Sequence, residues 1–378
     1  MKTPNNPFIE TGYISPVYFC DREEETKTLI DYIQNKTNVT LFAFRRLGKT
    51  GLIKHVFHQL KKDKNIVCIY VDIFDTTNKV DFINRLATAI YNAFPEKSSL
   101  GKKIITAIQS LRPVISFDEL TGIPNVQLDS SIAEQQKNTL NSLFAFIDSQ
   151  EIQVVFAIDE FQQILSYPEK NTEASLRTHI QHLQNTSFIF CGSDQTKMHQ
   201  IFNDAKRPFF ASCSYLHLST INQQEYSKFI TKMFKKYGKK ITKDAVSFIC
   251  DWTMLHTFYT QKYAKAIFTA SAENVTLQNA KLMAAQLLQA QEGKFYQYRN
   301  LLTPQQWQLL KAVAKEQRLV NYNSQEFIKK YNIGNASAVK RGLDSLQKKE
   351  MIMHNTGVET PYYEVYDKFL MRWLQAKH

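Results

Sequence analysis

The most constraining feature of the sequence is the loop over residues 43–51, which joins an apolar run to an amphipathic segment. The run Val39–Phe42 is β-branched and aromatic, which favours a buried parallel strand, and residues 52–60 carry apolar side chains at helical spacing. The intervening loop reads Ala43-Phe44-Arg45-Arg46-Leu47-Gly48-Lys49-Thr50-Gly51. Strand, loop and helix in this order predict a phosphate-binding loop, because a helix N-terminus directs free N–H groups and its positive dipole end at an anion.

The end of the loop matches a Walker A motif, and its beginning departs from it. Gly48 lets the backbone close around phosphate oxygens, Lys49 reaches the β and γ phosphates, and the Thr50 hydroxyl ligates Mg²⁺. Ala43 stands where the motif begins with glycine. Because alanine resists positive φ values, we expect either an ordinary φ at Ala43 or a mildly strained loop. The remaining loop residues are predicted to border the nucleotide, with one arginine of the pair facing water: Phe44, Arg45, Arg46, Leu47 and Gly51.

Two further apolar runs end in polar residues that suit nucleotide chemistry. Residues 153–158 form a nearly continuous apolar run, typical of a strand buried on both faces, and it is followed by Asp159 and Glu160. This Walker B pattern predicts that Asp159 organises Mg²⁺ and that Glu160 orients or deprotonates the attacking water. Residues 187–191 precede Ser193. Its hydroxyl is predicted to contact the γ-phosphate or the water, although Gly-Ser is also an ordinary turn.

Strands that alternate with helices predict an α/β fold of the P-loop NTPase class, a parallel sheet with flanking helices and nucleotide at the strand C-termini. Residues 65–72 supply another buried strand, and residues 95–134 interrupt the alternation. From residue 222 the sequence becomes helical and predicts a lid. We therefore predict a core over residues 1–220, a helical lid over 221–298 and a third domain over 299–378.

The third domain has the pattern of a winged helix-turn-helix. Thr303-Pro304 predicts the start of one helix, a second begins near Ser324, and a third runs over residues 336–349. Residues 351–354 and 362–366 follow as a hairpin. If this domain reads DNA, the third helix enters the major groove and four residues line its outer face: Ser337, Lys340, Arg341 and Lys348. A winged helix equally serves as a module for protein–protein contact or for autoinhibition.

These motifs together resemble the archaeal-type ATPase family, a branch of the AAA+ and STAND P-loop proteins. The resemblance rests on residues 19–23, 44–50, 157–162 and 191–193, in that order and spacing. It implies adenine rather than guanine as the base, so that ATP with Mg²⁺ is the expected ligand, and it places Asp21 and Arg22 beside the base. His256 corresponds to a lid histidine that approaches the nucleotide, or it is a packing residue, since the flanking glycine and proline of the family motif are absent. Arg207 corresponds to an arginine that approaches phosphate within one subunit or across a homo-oligomer, or it is a solvated loop residue.

Composition agrees with this interpretation. The chain has 378 residues, 43% of them hydrophobic, and a formal net charge of +12, which favours an anionic partner such as nucleic acid. The five cysteines form no Cys-x-x-Cys pair and are expected to be reduced and buried. No apolar stretch approaches membrane-spanning length, so we expect a cytoplasmic protein without a membrane partner.

Two functions are compatible with the sequence. In the first, ATP hydrolysis drives a conformational or assembly cycle, with Lys49, Glu160, Ser193 and Arg207 as catalytic residues. In the second, the chain is a slow nucleotide-gated switch or DNA-binding regulator with little turnover.

Overall fold

The computed structural model describes residues 3–94, 102, 113–117, 124–128, 133–271, 273–356 and 359–377. The chain divides into two compact units. The first unit contains residues 12–219, and the second contains residues 220–378 together with residues 1–11.

The first unit is built around a five-stranded parallel sheet. The strands are β1 (Val39–Ala43), β2 (Ile66–Asp72), β5 (Gln153–Asp159), β6 (Thr186–Gly192) and β7 (Ser214–Leu218). Their order is β2-β5-β6-β1-β7. The described helices of this unit are α1 (Glu23–Gln34), α2 (Lys49–Leu60), α3 (Lys79–Ala93), α4 (Ala133–Asp148), α5 (Thr172–Ile180) and α6 (Gln195–Asn203), with 3₁₀ turns at Pro16–Tyr18 and Phe161–Ser166. The predicted α/β P-loop fold is confirmed.

The central strands β1, β5 and β6 are buried on both faces, which explains their continuous apolar runs. Alternate residues of β5 point to opposite cores: Phe156 belongs to one cluster, and Val155 and Ala157 belong to the other. The predicted strands over β1, β2, β5 and β6 are confirmed, whereas β7 was not predicted. It lies at the sheet edge and alternates exposed with less exposed positions, so it lacks the signal of a strand buried on both faces.

Residues 95–134 were predicted to break the alternation of strands and helices. Within that range the structure describes β3 (Pro113–Phe117) and β4 (Pro124–Leu128), which pair as an antiparallel hairpin. The backbone N–H of Val126 donates to Thr88 Oγ1 of α3 at 3.0 Å, so β4 is fastened to the first unit. Apart from residue 102 and residues 133–134, the rest of this range lies outside the described residues.

Over the range predicted to form a helical lid, the second unit contains five described helices, and the last of them ends beyond residue 298: α7 (Gln223–Lys236), α8 (Lys243–Trp252), α9 (Thr257–Ala270), α10 (Leu277–Gln289) and α11 (Glu292–Asn300). Two short strands, β8 (Lys240–Ile241) and β9 (Asn274–Val275), pair in parallel beside them. The predicted boundaries of the three domains stay predictions. The N-terminal segment joins this unit because Phe8, 1% exposed, packs against Phe229, Phe234 and Phe268.

The winged helix-turn-helix at the end of this unit is confirmed. It comprises α12 (Pro304–Glu316), α13 (Gln325–Tyr331), α14 (Ala336–Lys348), the antiparallel pair β10 (Ile352–Asn355) and β11 (Tyr362–Val365), and α15 (Lys368–Lys377). Thr303 forms the expected N-cap with a full capping box to Gln306. Among the described helices, none is long and apolar enough to cross a bilayer.

Candidate functional site

The phosphate-binding loop leaves the sheet at the carboxyl end of β1. Ala43 is the last residue of this strand and is absent from the positions with positive φ, so the first of the two alternatives, an ordinary φ at Ala43, is the one observed. The left-handed positions lie later, at Arg46 (φ 66°) and Gly48 (φ 100°). The loop therefore adopts its left-handed backbone conformations at Arg46 and Gly48. A glycine at position 43 is not needed for the backbone geometry.

Helix α2 begins directly after Gly48 and directs its first-turn N–H groups into the loop. Leu47 is buried and anchors the loop to the core below it, while Arg45 and Arg46 are exposed. Phe44 is half-buried, and Phe19 lies 3.4 Å from where a side chain at Gly51 would begin. The arrangement is a backbone nest capable of holding an anion.

The loop lysine and threonine both contact the carboxylate at the end of β5. Lys49 Nζ lies 2.6 Å from Asp159 Oδ1, and Thr50 Oγ1 donates to Asp159 Oδ2 at 3.0 Å. The hydroxyl of Tyr70, on the neighbouring strand β2, donates to the same Oδ2 at 2.6 Å. Asp159 is thus held from three sides while it is only 3% exposed.

The electrostatics of this pair favour both charges. Burial alone raises the pKa of Asp159, but the Lys49 charge and the donors Tyr70 and Thr50 outweigh it and bring the pKa below its usual value. Burial likewise lowers the pKa of Lys49, yet the acidic groups around it, including Asp159 and Glu160, raise it overall. Lysine and aspartate therefore form a buried, charged pair.

Glu160 follows in the left-handed conformation, with φ 57°. Its Oε2 accepts hydrogen bonds from Ser193 Oγ at 2.7 Å and from Gln162 Nε2 at 2.5 Å, and its Oε1 lies 3.5 Å from Lys49 Nζ. The structure thus brings Lys49, Thr50, Asp159, Glu160 and Ser193 together, as the sequence predicted.

Of the two residues predicted to border the base, Arg22 is buried and Asp21 is half-buried. Arg22 is 3% exposed and its guanidinium is used internally: it pairs with Glu25 at 2.8 Å and donates to the carbonyls of Ser219 at 2.6 Å and Leu47 at 3.3 Å. Arg22 therefore stabilises the phosphate-binding loop through its hydrogen bond to the Leu47 carbonyl. Asp21 is half-buried, with φ 54°. Base contact by Asp21 and Arg22 stays a prediction.

Three rings, those of Tyr13, of Phe19 and of His55 on α2, pack against one another. The ring of Phe19 stacks on His55 with centroids 4.3 Å apart, and Tyr13 OH is 3.0 Å from His55 Nδ1. Gln59 Nε2 lies 2.9 Å from the other ring nitrogen. Burial, and then the nearby His58, lower the pKa of His55.

Two predicted contacts stay untested by this arrangement. Arg207 forms an ion pair with the buried Glu173 at 2.9 Å, so an approach to phosphate would require this pair to open. His256 lies in the second unit at the N-cap of α9, 2% exposed and edge-on to Tyr259 at 4.9 Å.

The four residues predicted on the outer face of α14 are all exposed: Ser337, Lys340, Arg341 and Lys348. Lys340 pairs with Asp344 at 2.8 Å, one turn further along the helix. The face is therefore accessible, and its positive charge is partly neutralised within the helix.

Three residues of the site were given no role by the sequence analysis, although they lie in predicted strands or motifs: Tyr70, Gln162 and Cys191. Cys191 Sγ lies 3.6 Å from Asp159 Oδ1 and is fully buried. Tyr70 and Cys191 reach Asp159 because β2 and β6 flank β5, and this strand order cannot be read from local patterns.

Comparison with known proteins places this geometry in context. A family model of an ATPase domain predominantly from Archaea matches residues 19–255, and a model of a probable winged helix domain matches residues 293–376. The Walker-type ATPase PABY2304 of Pyrococcus abyssi is a similar solved structure at 15% identity, covering 98% of this chain and 99% of that chain with a TM-score of 0.65. The ORC2 protein of Aeropyrum pernix, in ADPNP–ADP complexes, is similar at 12% identity over 98% of both chains with a TM-score of 0.59. At these identities the likeness shows the fold. No curated protein matches the chain.

Proposed function

Because the chain belongs to the family of ATPase domains found predominantly in Archaea, we propose that it binds ATP with Mg²⁺ at the carboxyl edge of the sheet and hydrolyses it to drive a conformational or assembly cycle. The observation that carries this proposal is the contact of Lys49, Thr50, Asp159, Glu160 and Ser193 within one cluster. These side chains come from three adjacent strand ends of a parallel sheet, β1, β5 and β6, where such folds bind their ligands.

Lys49 is the group that would follow the phosphates. Its ammonium contacts the carboxylates of Asp159 and Glu160, and Lys49 is the first residue of α2. A triphosphate in the loop offers Lys49 a stronger set of anionic oxygens than two carboxylates, and exchanging partners frees those carboxylates for their own roles.

The donor set beside Lys49 fits a magnesium ion. Thr50 Oγ1 and Asp159 Oδ2 are 3.0 Å apart, and both are the hard oxygen ligands that Mg²⁺ prefers. Thr50 would hold the ion directly and Asp159 would organise its water shell. When bound, Mg²⁺ neutralises charge on the phosphates.

Glu160 is the proposed base, and Ser193 is its partner on β6. The carboxylate is partly buried and is held by hydrogen bonds, so its direction toward the loop is fixed before any ligand arrives. A preoriented carboxylate deprotonates or orients an attacking water without the cost of reorganisation during the reaction.

The test is steady-state ATP turnover of the wild type and of Glu160→Gln, each with Mg²⁺ and with excess chelator. We expect turnover to require Mg²⁺ and to fall by about 10²-fold or more in the variant, since a positioned general base contributes roughly 10²–10⁴-fold. Direct ATP binding is measured in parallel and should persist in Glu160→Gln. If the wild type binds ATP but hydrolyses it no faster than Glu160→Gln does, the ATPase proposal is refuted and the nucleotide-gated switch takes its place.

We further propose that the outer face of α14 contacts nucleic acid. The exposure of Arg341 and Lys348 favours this role, because phosphate contacts require cations that can reach the partner. Turnover and binding measured with duplex DNA at several salt concentrations test it, since phosphate contacts give a binding constant that falls steeply with salt. Binding that is insensitive to salt, or absent, leaves protein contact as the function of this face.

A further inference from the structure

The two oxygens of the Glu160 carboxylate have different surroundings. Oε2 accepts from three donors: Ser193 Oγ at 2.7 Å, the Ser193 backbone N–H at 3.3 Å and Gln162 Nε2 at 2.5 Å. Within the described part of the chain, Oε1 has the ammonium of Lys49 at 3.5 Å as its polar neighbour. One oxygen is therefore anchored, and the other faces a side chain that the proposed ligand would draw away.

Gln162 owes its position to the turn at Glu160. The left-handed conformation of Glu160 begins the 3₁₀ turn Phe161–Ser166, and this turn folds the side chain of residue 162 back over the preceding carboxylate. Because an ionised carboxylate only accepts hydrogen bonds, the amide must present its NH₂ group to Glu160. The amide oxygen then points the other way, toward Gly192.

Gly192 is shaped to admit this amide. A β-carbon at position 192 would lie 1.9 Å from Gln162 Oε1 and 2.8 Å from Met198 Sδ, although the φ of Gly192 is not in the left-handed region. The glycine is thus required for space. Gln162 is 8% exposed, and its Oε1 has no hydrogen-bond partner in the described structure. A buried, unsatisfied amide oxygen costs stability, so packing alone would favour an apolar side chain here.

We propose that Gln162 is a positioning residue that, together with Ser193, fixes Oε2 of Glu160 and leaves Oε1 as the oxygen that takes the proton from the attacking water. This inference rests on the proposed ATPase function. In the step, the water oxygen forms a bond to the γ-phosphorus while the bond from that phosphorus to the bridging oxygen of ADP breaks. One water proton passes to Oε1, and ADP carries away the bonding electron pair.

The main test is Gln162→Met, which keeps the length of the side chain and removes both the donor and the unsatisfied oxygen. We expect kcat to fall about 10-fold or more, within the roughly 10²–10⁴-fold attributable to a general base, with KM for ATP within about 2-fold of wild type. The melting temperature should stay equal or rise. A residue with only a structural role would give the opposite pattern, lower stability with unchanged kcat.

The adjacent Gln163 supplies the matched control. It lies in the same 3₁₀ turn, but its Nε2 donates to the carbonyl of Thr76 at 3.1 Å and not to Glu160. Gln163→Met should therefore leave kcat unchanged once the fraction of folded protein is checked by its melting curve.

A double-mutant cycle tests the role of Gly192. Gly192→Ala should lower kcat in the wild-type background, because the added methyl group displaces the amide. It should lower kcat much less in the Gln162→Ala background, where the amide is gone and only the flexible side chain of Met198 has to shift. Equal losses in both backgrounds would show that Gly192 acts independently of Gln162.

Different results refute the positioning role of Gln162 and the proposed ATPase function. Turnover of the wild type that does not exceed that of Glu160→Gln refutes the ATPase itself. A wild type that hydrolyses ATP, with kcat of Gln162→Met within about 2-fold, refutes the positioning role. A change confined to KM or to ATP affinity also refutes it, because Gln162 would then act on ligand binding.

Discussion

Replacing Ala43 with the glycine of the usual motif should weaken the protein without improving nucleotide binding. Ala43 is 1% exposed, ends β1 and is paired in register with Leu218 of β7. Its methyl group packs in the same buried cluster as Leu47 and Leu52. Since its φ is ordinary, glycine would contribute no conformation that the loop needs.

The expected size follows from two terms. Removing one buried methyl group costs about 0.8 kcal/mol of burial free energy. The greater backbone freedom of glycine in the unfolded chain costs a further ~0.5–1 kcal/mol. We therefore expect Ala43→Gly to lower the free energy of unfolding of the first unit by about 1.5 kcal/mol, which corresponds to a fall in melting temperature of about 3–6 °C for a unit of this size.

The assay combines urea unfolding with direct measurement of ATP affinity on the same preparation. The dissociation constant for ATP should change by less than about 2-fold, or ~0.4 kcal/mol. Lys49→Ala serves as the reference for loss of the site and should abolish measurable binding, because it removes the cation that reaches the phosphates. An Ala43→Gly variant that is as stable as wild type, or that binds ATP about 10-fold more tightly, would refute the reasoning.

Three further predictions concern other parts of the chain. Glu364→Gln should destabilise the winged helix by about 3–5 kcal/mol, because it leaves the Lys368 ammonium, now 2.7 Å from Glu364 and 1% exposed, without its buried counter-charge. Glu364→Leu with Lys368→Met should recover most of this loss in chemical unfolding. His55 has a pKa lowered from 6.5, so the unfolded chain takes up its proton first, and stability should be lost as the pH falls below about 6.5; a His55→Gln variant with the same pH slope in urea unfolding would contradict this. Arg341→Ala should weaken DNA binding at every sequence and reduce the slope of binding against salt by about one unit, whereas an unchanged slope would remove Arg341 from the phosphate contacts.

The sequence predicted that the strand-end side chains of the site meet, because their signals are local. Lys49 and Thr50 follow one buried run and Asp159 follows another, and the carboxyl ends of parallel strands meet at one edge of a sheet. Tyr70 and Gln162 escaped prediction for the opposite reason. The contact of Tyr70 depends on β2 lying beside β5, and that of Gln162 depends on the left-handed backbone of Glu160. Neither strand order nor a single dihedral angle leaves a pattern in composition or periodicity.

The predicted place of Arg22 beside the base is not tested by its contacts within the protein, which show only where its guanidinium points. Its position in the motif order implied a place beside the base, and the structure gives its guanidinium three internal partners, including the carbonyl of Leu47 in the phosphate-binding loop. A motif position identifies which residue is near a site, whereas the direction of its side chain depends on tertiary neighbours that the motif does not contain.

The packing of Phe8 makes one hydrophobic core out of two distant stretches of chain. Phe229, Phe234 and Phe268 surround a ring that is supplied from more than 200 residues earlier in the sequence. A fragment beginning at residue 220 would therefore fold around a hole the size of a phenyl group and expose part of its aromatic lining. Such a fragment is expected to gain stability when a synthetic peptide of residues 1–11 is added in trans, so that the two pieces reconstitute the unit by complementation.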